Sequence, residues 1–138
     1  MAQASSARLL PPRKGKTVVF DSSFLIAVME RPTPWREDIT EKIGSFVPVV
    51  LVSVRDELRR LAGHSAGKGR FAGIALEMLE RGDLTLQQDG GGKPDDEIIS
   101  FALKGGAAVA TIDSDLASRL RASRVAAVIT LHAGRVSV

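Results

Sequence analysis

Five short apolar runs constrain what this chain can become: residues 17–20, 48–52, 84–86, 107–110 and 125–131. Each is too brief for a helix, and most lack the apolar–polar alternation of a strand with one wet face. Such runs belong to strands covered on both sides. Between them lie segments with apolar residues at helical spacing, over 22–30, 35–45, 53–61, 70–81, from Asp95 to the Gly105-Gly106 stop, and after Asp113. Arg31-Pro32-Thr33-Pro34 separates the first two helices, because proline cannot continue a helix and restricts its predecessor. The order β-α-α-β-α-α-β-α-β-α-β predicts an α/β fold with a mostly parallel sheet of about five strands, sandwiched between helices in three layers. Residues 135–138 are a candidate edge strand. Ile74, Met78 and Leu79 are expected to face inward from the helix over 70–81, and Ile98, Ile99, Ala102 and Leu103 from the one that follows Asp95.

With 138 residues, 44% hydrophobic and 25% charged, the chain has room for one domain with one core. No internal repeat is visible, so residues 17–138 are read as that domain. Residues 1–16 are Ala, Ser, Gln, Pro and basic residues without periodicity. They read as a disordered arm, with an RNA-contacting arm as the alternative. No apolar run approaches the length of a membrane span, which points to no membrane partner and a cytoplasmic location. The absence of cysteine excludes disulfides, thiolate catalysis and zinc-thiolate sites, and His64 and His132 alone make a histidine metal site improbable. The net charge of +3 permits a polyanionic partner without demanding one.

The acids carry more. Asp21 ends the first strand and is followed by the hydroxyls Ser22 and Ser23. Glu57 lies on the helix after the second strand. Asp95, Asp96 and Glu97 open another helix, and Asp113 follows the fourth strand with Asp115 two residues on. Singly, each has an ordinary reading as a helix cap, an edge position or first-turn charge. Together they change the expectation. In an open parallel sheet, the carboxyl ends of the strands face a common crevice. Asp21, Glu57, Asp95 and Asp113 then converge there, at a cost in repulsion and desolvation unless a cation neutralises them. Oxygen ligands without His or Cys suit Mg²⁺ or Mn²⁺.

These segments resemble the PIN-domain nuclease family. The likeness rests on Val18-Val19-Phe20-Asp21, Glu57-Leu58, Asp95-Asp96-Glu97-Ile98 and Thr111-Ile112-Asp113-Ser114-Asp115-Leu116, in that order over residues 17–138. It is nearest to VapC-type toxin ribonucleases and to the PIN nuclease of small-subunit rRNA processing. The resemblance implies a metal-dependent endoribonuclease acting on single-stranded or loop RNA. Asp21, Glu57, Asp95 and Asp113 would be its catalytic, metal-binding acids, with Asp96 and Asp115 as accessory ligands or simple first-turn charge. Ser22 and Thr111 would orient ligands or water, Ser22 being equally readable as a helix cap. Ile112 departs from the family, which often has a polar residue there.

Lys93, Arg119, Arg121 and Arg124 are candidates to hold RNA phosphates, against the alternative of a solvated helix face. Scarce aromatics argue against extensive base stacking. A toxin role, favoured here, implies an antitoxin partner and a homodimer, whereas an rRNA-processing role implies a pre-ribosomal particle. Two other readings compete. A phosphotransferase with an aspartyl nucleophile would want a second Asp two residues after Asp21, where Ser23 stands. A non-cutting RNA-recruitment module would be expected to have lost some of the acids.

Overall fold

Val18, Val19 and Phe20 are fully buried because the strand that carries them, β1 (Lys16–Phe20), lies inside the sheet. The computed structural model describes residues 16–64 and 66–138. After β1 come α1 (Ser22–Glu30), α2 (Trp35–Ile43), β2 (Phe46–Leu51), α3 (Val52–His64), α4 (Lys68–Arg81) and β3 (Thr85–Gln87). There follow α5 (Pro94–Gly105), β4 (Ala108–Ala110), α6 (Ser114–Ala122), β5 (Val128–His132) and β6 (Arg135–Ser137). Of the expected arm 1–16, only Lys16 belongs to the described residues. It is the first residue of β1, its amide donating to Ser45 O at 3.2 Å; residues 1–15 lie outside them.

The six strands stand in the order β3-β2-β1-β4-β5-β6. All neighbours pair in parallel except β6, which returns antiparallel on β5. The hairpin turns through Ala133 and Gly134, both at positive φ (53° and 77°), as a tight two-residue connection requires. The candidate edge strand thus makes the sheet six-stranded. Chain order reverses direction on either side of β1, so right-handed crossovers put the connections β1-β2-β3 on one face and β3-β4-β5 on the other. That gives three layers. Among the described residues no helix is long and apolar enough to cross a membrane.

Packing corrects three details of the sequence reading. The buried positions of α4 are Gly69, Ala72 and Ala75, while Ile74 is only half-buried. The reason is close approach between helices: a Cβ at Gly69 would stand 2.9 Å from Leu61 O of α3, so small residues take the contact. Leu103 is 50% exposed, because α5 turns Ile98 and Ala102 to the core and Leu103 lies about 100° further round. The last strand starts at Val128 rather than 125, since Arg124 bends the chain through the left-handed region (φ 62°).

An aromatic cluster closes the centre. The Phe20 ring lies 5.6 Å from Phe24, 5.2 Å from Trp35 and 6.4 Å from Phe46. Trp35 is therefore a packing residue. Beside it, buried Asp38 of α2 accepts two hydrogen bonds from Arg135 of β6, at 2.8 and 2.7 Å. The Arg135 hydrogen bonds hold the Asp38 carboxyl down at about 2, against 3.8 ordinarily. The pair therefore stabilises the fold fully above the ordinary value and loses that stabilisation as pH falls from 3.8 towards 2. Arg135→Ala is expected to lower Tm at neutral pH and to flatten its fall across that acid window. Melting curves over pH check both effects.

Candidate active site

The C-terminal edge of the parallel sheet receives acids from four elements. Asp21 follows β1 directly and is 4% exposed, its amide bonded to Ala110 O of β4 at 2.9 Å. Asp113 follows β4 and caps α6, its Oδ1 accepting from Leu116 N at 2.9 Å. Glu57 projects from the second turn of α3, and Asp95 from the first turn of α5. Their electrical coupling is explicit at Asp95. Burial raises its carboxyl above the usual range, and the charges of Asp21, Asp113 and Glu57 raise it further, against a smaller lowering by Arg119.

Hydroxyls hold the acids in place. Ser22 Oγ donates to Glu57 Oε1 at 2.8 Å, linking α1 to α3. Ser23 Oγ and Thr111 Oγ1 both donate to Asp21 Oδ2, at 2.5 and 2.8 Å. The same two oxygens accept from Ile112 N (3.1 Å) and Asp113 N (3.0 Å), so one relay joins Asp21 to the Asp113 turn. Ser22 thus holds Glu57, and Thr111 holds Asp21. Ser23 does as much for Asp21 as Thr111 does, and its place two residues after a strand-end aspartate is the signal that could have found it. Ile112, 45% exposed, contributes its amide to this relay, which asks nothing of its side chain.

The remaining candidate residues lie at varying distances from these acids. Asp96 is turned away into an ion pair with Arg119 (2.7 Å), and Asp115 is exposed on the first turn of α6. Arg119 thereby crosses from α6 to α5 beside Asp95. Lys93 precedes α5 and is exposed. Arg124 is not on the helix: α6 ends at Ala122, and a nine-residue helix carries its C-terminus about 13 Å from Asp113. Arg121 lies in that distant last turn. His64 and His132 are exposed.

The glycine-rich loop between β3 and α5 is tied at both ends. Asp89 Oδ2 accepts from Ser53 N at 2.9 Å, capping the first turn of α3. Its Oδ1 accepts from Gly91 N at 2.9 Å. Burial alone would raise the Asp89 carboxyl, but its contacts with Ser53 and Gly91 outweigh that and leave it lowered. From the other side, Glu97 Oε1 and Oε2 accept from Gly90 N (2.7 Å) and Gly92 N (3.0 Å). A Cβ on Gly92 would fall 2.6 Å from Glu97 Oε2, and one on Gly90 3.1 Å from either oxygen. The glycines are there for that carboxylate.

Among the described residues no three His, Cys, Asp or Glu side chains stand assembled around one point as an ion cage. The four edge acids are spread, and three of them accept from the hydroxyls and the amide just named. The donor set nevertheless fits a hard divalent ion. It is all oxygen, and the ion pairs of Arg55 and Arg59 with Asp56, Arg81 with Asp83, Arg119 with Asp96 and Arg135 with Asp38 use other acids. Negative charge at this edge is therefore compensated only in part, by Arg119 beside Asp95, and a cation would relieve the rest.

Comparison with known proteins agrees with the fold. The structure of the PIN domain endonuclease Utp24 superposes with a TM-score of 0.73 at 20% identity, over 88% of this chain and 90% of that one. A domain of a functionally unknown protein from Methanocaldococcus jannaschii DSM 2661 superposes with a TM-score of 0.58 at 17% identity, over 90% and 96%. No curated protein matches the sequence. The family model described as a PIN like domain matches residues 18–134, and the chain belongs to that family.

Proposed function

We propose that the protein is an Mg²⁺- or Mn²⁺-dependent endoribonuclease that hydrolyses phosphodiester bonds in single-stranded or loop RNA. The observation that carries this is the set Asp21, Glu57, Asp95 and Asp113 at one sheet edge, with Asp95 raised by burial and by the other three charges more than Arg119 lowers it. These four residues would hold the ion. Asp115 stands near enough in sequence to Asp113 to assist, and Asp96 is available only when Arg119 releases it. A carboxylate-held divalent ion supplies an activated water and stabilises negative charge on the phosphoryl group.

The protein's own part is placement. Ser22 fixes Glu57, while Ser23 and Thr111 fix Asp21. Lys93 and Arg119 flank the acids and would hold the phosphates on either side of the scissile bond; Arg121 and Arg124 would meet only a longer RNA. The fold shared with an endonuclease favours cutting over recruitment. In the cell a VapC-like toxin ribonuclease in the cytoplasm, with an antitoxin partner and as a homodimer, is the first reading. rRNA processing within a pre-ribosomal particle is the second, and affinity capture of the associated partner tells the two apart.

A mixed-sequence single-stranded RNA incubated with the protein should be cut at internal positions in Mg²⁺ or Mn²⁺ and left whole in EDTA. Cutting that persists in EDTA would overturn the ion's role. RNA left intact with either metal would favour the recruitment module.

A further inference from the structure

Two of the four edge acids come from strand ends, where the sheet itself fixes them. Glu57 and Asp95 come from α3 and α5, and need another constraint on their spacing. Residues 89–93 span that gap. At one end Asp89 caps Ser53 N, one turn before Glu57; at the other Glu97 holds the amides of Gly90 and Gly92, half a turn after Asp95. Between them Asp89 closes the loop on Gly91 N, and Gly91 takes a φ of 81° that other residues rarely adopt. The bridge thus consists of two carboxylates and three glycine amides, with the Glu97 carboxylate so close that a Cβ on Gly92 would push it aside.

We propose that Asp89 and Glu97 are positioning residues: acting through this glycine loop, they set the distance between Glu57 and Asp95 and so the affinity of the site for its divalent ion. This rests on the ion-binding reading above. Neither residue touches the ion. Each acts through the helix start that it pins, as groups that orient metal ligands do elsewhere.

The test is calorimetric titration of Mn²⁺ into the metal-free full chain, with Glu97→Ala, Glu97→Gln and Asp89→Ala beside the wild type. Glu97→Ala is expected to weaken Mn²⁺ binding about tenfold or more. Glu97→Gln, which keeps one acceptor, should fall between it and the wild type. Amide exchange at Gly90 and Gly92 should quicken in Glu97→Ala without metal, and cleavage should lose kcat with little change in KM for RNA. A merely structural role would lower Tm and leave Mn²⁺ affinity at the wild-type value, and that result in a folded variant overturns the proposal. Should Glu97→Ala not fold, Asp89→Ala decides the matter by the same affinity criterion. A wild type that binds no Mn²⁺ would overturn the ion site itself, and this inference with it.

Discussion

Asp21→Asn is expected to reduce RNA cleavage on the order of a hundredfold or more while leaving the fold intact. The loss follows from removing a charged ligand whose contribution to stabilising the transition state is several kcal/mol. The fold should survive because asparagine keeps a carbonyl oxygen where Ser23 and Thr111 donate, and because the backbone bonds at residue 21 do not involve the side chain. Stability without metal should even rise slightly. Asp95 titrates above 3.8 in the folded chain, so its ionisation at neutral pH opposes folding, and the Asp21 charge adds to that cost. Cleavage rates and metal-free melting curves of the variant check both statements. Wild-type cleavage by Asp21→Asn would remove Asp21 from the site.

Phe20→Ala should produce the largest loss of stability. The ring is fully buried and meets Phe24, Trp35 and Phe46 at once, so its removal leaves a cavity lined by α1, α2 and β2. Substitutions of this kind cost about 3–5 kcal/mol, a large share of the stability of a domain this size. Tm should fall on the order of 10–15 °C. Cleavage should fall too, even well below that Tm, because residue 20 is the covalent neighbour of Asp21. Denaturant unfolding that showed a loss under about 1 kcal/mol would mean that the cluster repacks.

These effects mark where the sequence was legible. Val18-Val19-Phe20-Asp21 declares a buried strand ending on an acid through local pattern alone, and α1 begins at Ser22 as its spacing implies. The layer order follows from alternating elements, and the meeting of acids at one edge follows from a parallel sheet. Contacts that depend on how elements lean on one another were not legible in that way. Helical periodicity shows that α4 has an inner face, but not that small residues, Gly69, Ala72 and Ala75, fill it, with α3 close enough at Gly69 to exclude a Cβ. Composition reads Asp89-Gly90-Gly91-Gly92 as mobile, because glycine is unconstrained in isolation. The loop is held by Glu97, whose partners lie across a turn that no pattern announces. Likewise Asp96 and Arg119 are both exposed, and only the crossing of α5 and α6 joins them.

The most direct test of the account is titration of Mn²⁺ into the metal-free wild type and Asp21→Asn near neutral pH, followed by calorimetry. Four carboxylates sharing one site predict saturable binding by the wild type, weakened by about tenfold or more in the variant. A wild type that takes up no ion, or a variant that binds it equally well, would contradict the claim that these acids act together.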